Sequence, residues 1–331
     1  MIKVRTVPVQ PFCFLYGGFD IQMGRTHEAL QSVGVDAKPL DWWSRDEQFD
    51  ILHVWGLTIQ HHGLVRIAKD YGKKVVMTPI LTYLTPLEYL RHCYGFIRGY
   101  NKAIADMLRC VDVLLVVNKL QAVTAMKLYR FPSQSIEVIP TMLDPLFFNA
   151  KLVVSPHNDL KDYIVCAGNI LPRKNQIRLA KAALQIGCSI IFIGNAMGGE
   201  ISYAKAFQKI VDASPSIKWY KWVSWEKLFQ IMSSARAIAI PSFNECQPAS
   251  ALEAVALQKP LLIAQRPYAF QEFYTGALMV NPKSIDSIAN GLKEILANPR
   301  QYTPSRFLIN ECRPDVIGLK LRQIFERLLS V

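Results

Sequence analysis

Several features that would assign a function class are missing from this chain of 331 residues. No apolar run approaches the ~18 residues of a membrane-spanning helix, and the N-terminus lacks the charged and apolar segments of a secretion signal. No Gly-x-Gly-x-x-Gly occurs, which argues against a dinucleotide-dependent oxidoreductase. No cluster of Lys and Arg interleaved with aromatic residues stands out, so we expect no nucleic-acid partner.

The seven cysteines form no Cys-x-x-Cys, and several of them lie within apolar runs. This pattern favours buried thiols in a reducing cytoplasm over disulfides or a zinc site. His61 and His62 are adjacent but have no further ligands at metal spacing, so no metal site is expected. Cys246 lies inside the candidate site described below, where a small residue in a tight loop is the simplest interpretation.

The chain is rich in positive charge, with 38 Lys and Arg against 26 Asp and Glu and a net charge of +12. Residues 1–150 contribute +3 and residues 151–331 contribute +9. The excess in the second half indicates an anionic small molecule such as a diphosphate, with a membrane surface as the alternative.

Short apolar runs alternate with segments of helical period in both halves of the chain. Runs of this kind are typical of parallel strands buried on both faces, and the alternation predicts two doubly wound α/β sheets. Ligands of such sheets bind at the carboxyl ends of the strands, so we expect a site in a cleft between the two domains. The predicted strands are residues 50–55, 74–78, 111–117, 163–167, 189–193, 217–222, 236–240, 260–264 and 277–280.

Two carboxylates, Glu245 and Glu253, flank the start of a helix predicted to follow strand 236–240. Pro248 suits the first helical position, because its missing N–H is not needed there. The free N–H groups of Ala249 and Ser250 would then attract a phosphate. The two carboxylates could bind hydroxyl groups on either side of it, as a sugar–diphosphate–nucleoside would require.

This block resembles the Glu-x7-Glu signature of the retaining family-4 glycosyltransferases (glycosyl transferases group 1), which have the GT-B fold of two Rossmann-like domains. Three further blocks follow in the family's order: residues 166–175 resemble its donor loop, residues 191–195 its second glycine turn, and residues 259–282 its last two strands. The resemblance implies an acceptor-binding domain over residues 1–150, a donor-binding domain over 151–305, and a helix over 306–331 that returns to the first domain.

The resemblance also implies roles for individual residues. Glu245 would hold the sugar hydroxyls and Glu253 the ribose, while Arg173 and Lys174 would neutralise the leaving diphosphate, with no metal or other cofactor. Val223 would lie near the base, and Gly17 and Gly18 would let backbone N–H groups approach a phosphate, although an ordinary tight turn is the alternative for this pair. The remaining expected donor contacts are Gly168, Asn169, Gly194, Asn195, Cys246, Gln247, Pro248, Ala249 and Ser250.

Some positions depart from the family's pattern. Asn169 stands where the family usually has Arg. Either Arg173 takes over the role of that arginine, or Lys174 alone binds the phosphate. His53 resembles a family histidine that contacts the acceptor or the sugar, and a histidine of the domain core is the alternative. Thr82 and Asn118 are expected acceptor contacts.

The stretch from residue 86 to residue 109 has a helical period with basic and aromatic side chains, among them Arg91, Arg98, Lys102 and Arg109. Such a face can bind anionic lipid, although ordinary packing with solvated charges is the alternative.

The sequence thus predicts a retaining hexosyltransferase that moves a sugar from a nucleotide diphosphate sugar to a hydroxyl acceptor, a glycan or lipid-linked saccharide of cell-surface polysaccharide synthesis. It would be cytoplasmic or peripheral on the inner face of the membrane. A catalytically silent sugar- or membrane-binding module and a nucleotide-sugar epimerase remain as alternatives.

Overall fold

A computed structural model describes residues 1–13, 17–45, 48–83, 86–97, 99–148, 162–197 and 199–330. The chain divides into two compact units. The first unit combines Met1–Met142 with Pro314–Val331, and the second consists of Leu143–Arg313. The chain thus passes between the units near residues 142 and 313, whereas the predicted boundary at 150/151 lies outside the described residues.

Each unit contains one six-stranded sheet in which every pairing is parallel. The order is β2-β1-β3-β4-β5-β6 in the first unit and β12-β11-β10-β7-β8-β9 in the second. Both orders reverse direction within the sheet, as expected for doubly wound α/β folds. The strands are β1 Lys3–Val7, β2 Asp36–Pro39, β3 Ile51–Trp55, β4 Lys74–Thr78, β5 Val113–Val116, β6 Ile136–Val138, β7 Tyr163–Ala167, β8 Ser189–Ile193, β9 Ile217–Tyr220, β10 Ala237–Ile240, β11 Leu261–Ala264 and β12 Leu278–Val280.

A crossover between two parallel strands needs a long connection, which is usually a helix. These helices cover both faces of each sheet. The long helical stretch predicted from residue 86 is two helices, and the second begins after Gly99, whose φ is +85°. The helices are α1 Gly18–Ser32, α2 His62–Asp70, α3 Pro86–Ile97, α4 Tyr100–Leu108, α5 Lys119–Tyr129, α6 Gln176–Ile186, α7 Ile201–Asp212, α8 Trp225–Ser234, α9 Ala249–Ala256, α10 Ile285–Ala297 and α11 Pro314–Leu329.

The last helix belongs to the core of the first unit. Ile317, Leu321 and Phe325 of α11 are buried in one cluster with Leu30 of α1. Gly318 permits close contact, because a Cβ at this position would lie 2.6 Å from the carbonyl oxygen of Ala29. Residues 143–313 are therefore inserted within the sequence of the first unit.

The predicted class of two doubly wound parallel sheets is confirmed. All nine predicted strands are present, with ends displaced by at most two residues. The strands β1, β2 and β6 were not predicted from the sequence. Lys3 and Arg5 interrupt the apolar pattern of β1, and β2 and β6 are short strands at the edges of the sheet.

Candidate functional site

The loop after β10 delivers Glu245 to the start of α9. Pro248 is the N-cap residue with φ −67° and ψ 122°, and the helix begins at Ala249. The prediction that Pro248 occupies the first helical position is therefore wrong by one residue, because its ψ is extended. The N–H groups of Ala249 and Ser250 still lie in the first turn, where no helical carbonyl precedes them to accept.

Glu245 is buried and paired with two cations. Its Oε1 lies 2.5 Å from Nζ of Lys174, and its Oε2 lies 3.2 Å from Nη1 of Arg173. Burial alone would raise the pKa of the Glu245 carboxyl, but the charges of Lys174 and Arg173 outweigh burial and hold this pKa below its usual value. The carboxylate is therefore ionised at neutral pH and joins two loops that lie about seventy residues apart in sequence.

The two cations differ in exposure. The Lys174 side chain is 15% exposed, whereas that of Arg173 is 52% exposed and also donates to the carbonyl oxygen of Asn244. Solvent screens the charge of Arg173 more than that of Lys174. Lys174 is accordingly the stronger local source of positive potential.

Asn175 fixes the loop that carries these cations. It adopts a left-handed conformation with φ +65°, and its side-chain amide donates to the carbonyl oxygens of Pro241 and Pro282 at 3.1 and 2.7 Å. The backbone N–H of Phe243 donates to the carbonyl oxygen of Arg173 at 2.7 Å. These bonds hold the cation loop against the loop that contains Glu245.

Two glycines shape the neighbouring strand ends. A Cβ at Gly194, where φ is +144°, would lie 2.3 Å from the carbonyl oxygen of Gly168. A Cβ at Gly168 would lie 3.6 to 3.8 Å from the side chain of Lys174. Gly194 is therefore required for close approach of the two loops, and Gly168 lies directly beneath the aliphatic part of Lys174.

Asn169 makes hydrogen bonds within the protein. Its side-chain amide donates to the sulfur of Met197 at 3.1 Å, and its carbonyl oxygen accepts from Gln176 at 2.8 Å. Asn195 is exposed, and its carbonyl oxygen accepts from the N–H of Ile170 at 2.8 Å. Both residues lie at the predicted strand ends, but the charges of this region come from Arg173 and Lys174.

Two residues that the sequence did not predict hold the loop around Glu245 in place. Gln271 accepts from the Gln247 side chain at 3.0 Å and donates to the carbonyl oxygen of Cys246 at 2.8 Å. Tyr268 is fully buried, and its hydroxyl lies 3.2 Å from the carbonyl oxygen of Ser242. Both residues belong to an irregular segment after β11, which gave no periodic signal.

The other predicted donor contacts also lie in the second unit. Glu253 is buried in α9, one turn inside the helix. The side chain of Cys246 is partly exposed. Val223 is half-buried in the loop after β9, next to Ser224, which caps α8.

Gly17 and Gly18 begin α1 of the first unit. Gly17 is the N-cap residue, and its N–H donates to the Asp20 carboxylate at 2.8 Å. A Cβ at Gly18 would meet no atom within 4 Å. The predicted glycine turn before a helix is present, and a carboxylate of the same helix occupies one of its N–H groups.

His53 lies in the middle of β3 and is fully buried. Its Nε2 lies 2.8 Å from the Thr78 hydroxyl, and its ring lies 5.1 Å from that of Trp55. Burial, with a smaller effect from His27, lowers the pKa of His53 to about 3, so the ring is neutral. This placement favours the core-histidine alternative over substrate contact.

The two predicted acceptor residues lie at strand ends of the same unit. Asn118 caps α5 by accepting from the N–H of Gln121 at 2.9 Å, and it is buried. Thr82 is half-buried in the loop after β4.

Neither a metal cluster nor a membrane span is found in the part of the chain that the structure describes. No group of three or more His, Cys, Asp or Glu side chains there could hold a metal ion. None of its helices is long and apolar enough to cross a bilayer.

Comparison with known proteins relates the second unit to sugar-transferring enzymes. Residues 148–307 match the sequence profile of the glycosyl transferases group 1 family. The chain is 26% identical over 215 residues to the O-antigen chain mannosyltransferase RfbU of Salmonella typhimurium, an alignment that spans 64% of this chain and 58% of that relative.

Two solved structures share the fold along their whole length. The HepE protein of Anabaena, solved with UDP and glucose, superposes with a TM-score of 0.75 at 13% identity and 100% coverage of both chains. Sucrose-phosphate synthase of Thermosynechococcus elongatus gives 0.73 at 15% identity, also with 100% coverage of both. The second unit thus matches the glycosyl transferases group 1 family over residues 148–307, and the chain has the GT-B fold.

Proposed function

We propose that this protein is a retaining hexosyltransferase that moves a sugar from a nucleotide diphosphate sugar to a hydroxyl acceptor, in the synthesis of a cell-surface polysaccharide. The observation that carries the proposal is the buried Glu245, held between Lys174 and Arg173 at the start of α9. The RfbU relative is an O-antigen mannosyltransferase, and HepE was solved with UDP and glucose, which supports a sugar nucleotide as the donor.

In this proposal the cations stabilise the leaving diphosphate. Negative charge grows on its oxygens as the sugar–oxygen bond breaks, and fixed positive groups stabilise that charge most where water is excluded. Lys174 is mostly buried and already oriented by Glu245, so little reorganisation is needed. The N–H groups of Ala249 and Ser250 add a helix dipole that favours the same anion.

Glu245 has two tasks in this scheme. Its low pKa keeps it ionised, so it can accept hydrogen bonds from sugar hydroxyls while it orients Lys174. Glu253, one turn inside α9, is assigned to the ribose. No residue is assigned as general base, because in a same-face displacement the departing phosphate accepts the proton of the acceptor hydroxyl.

We propose that no metal is required, since lysine, arginine and helix N–H groups supply the positive charge. Turnover should then persist in excess EDTA. Loss of turnover that Mg²⁺ or Mn²⁺ restores would overturn this part of the proposal.

Incubation with a panel of nucleotide diphosphate sugars and candidate acceptors tests the reaction. A free nucleoside diphosphate together with a new glycoside of unchanged anomeric configuration, read by NMR, is the expected result. An inverted product would refute retention, a changed donor sugar would indicate an epimerase, and tight binding without turnover would indicate a silent binding module.

We also propose that the protein works at an anionic membrane surface on the cytoplasmic side. Leu87, Leu90 and Tyr94 of α3 are each more than half exposed, and Arg91 and Lys102 lie on α3 and α4; Arg98 lies outside the described residues. Sedimentation with vesicles should rise with anionic lipid content and fall with salt, since charges are screened beyond about 10 Å at 0.1 M. Equal binding to neutral and anionic vesicles would refute this.

A further inference from the structure

Two adjoining cavities lie beside α3 in the first unit, with volumes of about 720 and 200 Å³. They share His92, Leu128 and Tyr129, so they adjoin along α3, α4 and α5, and together they are called the groove. The larger volume falls within the range of roughly 300–1,000 Å³ that small-molecule sites occupy.

The larger cavity lies at the end of the sheet opposite the predicted substrate edge. Val111 and Phe131 line it, and these residues precede β5 and β6, so they mark the amino ends of those strands. Ligands of doubly wound sheets bind at the carboxyl ends instead. The larger cavity is therefore not explained by sugar or acceptor binding.

Apolar surface makes up about half of the lining of the larger cavity. Leu108, Val111, Leu128 and Phe131 contribute aliphatic and aromatic surface. Burial raises the pKa of Tyr129 to about 12 and lowers the pKa of His92, whose ring packs edge-on against Tyr129 at 5.1 Å. Both polar rings are therefore neutral at pH 7, and the apolar part of the lining suits a hydrocarbon.

The rim of the same cavity is cationic. Arg109, Lys127 and Arg130 line it and are exposed, and no Asp or Glu is among the described residues that line either cavity. Asp106 neutralises part of this charge through Arg109 at 3.4 Å. Over residues 86–132 the sequence still has seven Lys and Arg against three Asp and Glu.

A cavity whose lining is half apolar and whose rim is cationic complements an amphiphile with an anionic head. The adjacent surface of α3 extends the apolar area, since Leu87 is 59% and Leu90 is 65% exposed. Contiguous apolar surface of this kind marks an interaction site in soluble proteins.

We propose that this groove binds one hydrocarbon chain of an anionic membrane lipid, with Arg109, Lys127 and Arg130 around its phosphate-bearing head. The inference deepens the membrane part of the proposed function by naming a stoichiometric lipid site. It does not involve the donor residues, and of the expected acceptor contacts only Thr82 lines the groove, in its smaller cavity. The lipid site can therefore fail while sugar transfer stands.

Binding of alkyl phosphates, measured by calorimetry below their critical micelle concentrations, tests the site. Dodecyl phosphate should bind one per chain, and each added methylene in a butyl-to-dodecyl series should tighten binding by up to about fourfold. Inorganic phosphate alone should not bind measurably. Affinity that is independent of chain length would show a simple phosphate site and overturn the proposal, as would a lack of saturable binding.

Leu128→Trp should fill the groove where the two cavities meet and weaken dodecyl phosphate at least tenfold. Leu319→Trp is the matched control, because Leu319 lies on α11 of the same unit and is 52% exposed. If Leu128→Trp melts below the wild type, Ala105→Leu supplies a smaller filling of the same cavity. Unchanged affinity in a folded filling variant would refute the groove as the site.

The double variant Arg109→Gln/Lys127→Gln tests the rim. It should weaken dodecyl phosphate about tenfold, whereas Lys205→Gln/Lys209→Gln on α7 should have no effect. Vesicle binding that survives in the filling variants, without alkyl phosphate binding in the wild type, would leave surface docking intact and exclude the groove.

Discussion

The two sheets of this protein have the same number of strands and the same parallel pairing, but their carboxyl ends differ in chemistry. In the second unit Glu245, Lys174 and Arg173 form a charged cluster, in which Glu245 lies 2.5 Å from Lys174 and 3.2 Å from Arg173. In the first unit the predicted residues are neutral: Asn118 caps a helix at a strand end, and His53 lies farther inside, where it pairs with Thr78 in the core. One architecture thus supplies charge in one half and neutral hydrogen bonding in the other.

This difference matches what each half would bind in the proposed reaction. A diphosphate leaving group requires fixed positive charge, whereas an acceptor hydroxyl requires hydrogen bonds and access. If the comparison is correct, removing charge from the second unit should stop turnover, and changes to His53 should act mainly on stability. The following four predictions test this, from the largest expected effect to the smallest.

Glu245→Gln should lower kcat at least 1,000-fold, a loss of about 4 kcal/mol. The amide cannot pair with Lys174 or accept from sugar hydroxyls as an ionised carboxylate does. Glu226→Gln on the exposed surface of α8 is the control and should retain full activity. Retention of more than a tenth of the wild-type kcat would remove Glu245 from the mechanism.

Lys174→Gln should cost about 100-fold in kcat and Arg173→Gln only about tenfold. The reason is exposure, since Lys174 is 15% and Arg173 is 52% exposed. Steady-state kinetics of the two variants with the same donor give the ratio directly. The reverse order would make Arg173 the principal phosphate contact.

Gly194→Ala should destabilise the second unit by about 3 kcal/mol, because a side chain is strained at φ +144° and would overlap the Gly168 carbonyl. Urea unfolding followed by circular dichroism gives the change. Gly24→Ala in α1 is the matched control, since a Cβ there meets nothing within 4 Å and should be neutral or slightly stabilising. Equal effects of the two substitutions would contradict the close approach of the two loops.

His53 should make the first unit less stable as pH falls. Its pKa is about 3 in the folded state and about 6.5 when unfolded, so the unfolded chain binds more protons between these values. The free energy of unfolding should therefore drop by about 2 kcal/mol from pH 7 to pH 5, and His53→Gln should lose that part of the slope. His27 also has a lowered pKa because of burial and adds in the same direction.

Retention of near-wild-type kcat by His53→Gln at pH 7 would agree with a core role. If the variant folds but its kcat falls as much as that of Lys174→Gln, His53 acts in the active site instead. A slope unchanged by the substitution would show that the pKa of His53 is the same in the folded and the unfolded chain.

The sequence predicted the elements whose residues are apolar on both sides, such as β3 and β10, because their pattern depends on burial alone. It also predicted Glu245, Lys174 and Arg173 as members of one site through family resemblance. It did not predict that these three form ion pairs, since the contacts join residues more than seventy positions apart. Nothing in the local pattern of a chain encodes such a distance.

The supporting residues were missed for a different reason. Asn175 acts through a left-handed backbone conformation, and Gln271 acts from an irregular segment. Neither has a periodic signature. His53 was predicted as a possible substrate contact but is buried. The sequence around a histidine in an apolar strand is the same whether a helix covers the residue or a ligand can reach it.

The placement of α11 determines the order in which the two units can be completed during synthesis. All of Leu143–Arg313 is translated before α11, so the second unit can fold as soon as its own residues have left the ribosome. The first unit cannot complete its core until α11 has been synthesised, because Ile317, Leu321 and Phe325 supply part of that core. Until they arrive, the apolar surface of α1 around Leu30 remains uncovered and is a target for chaperones, although the strands of that unit were made first.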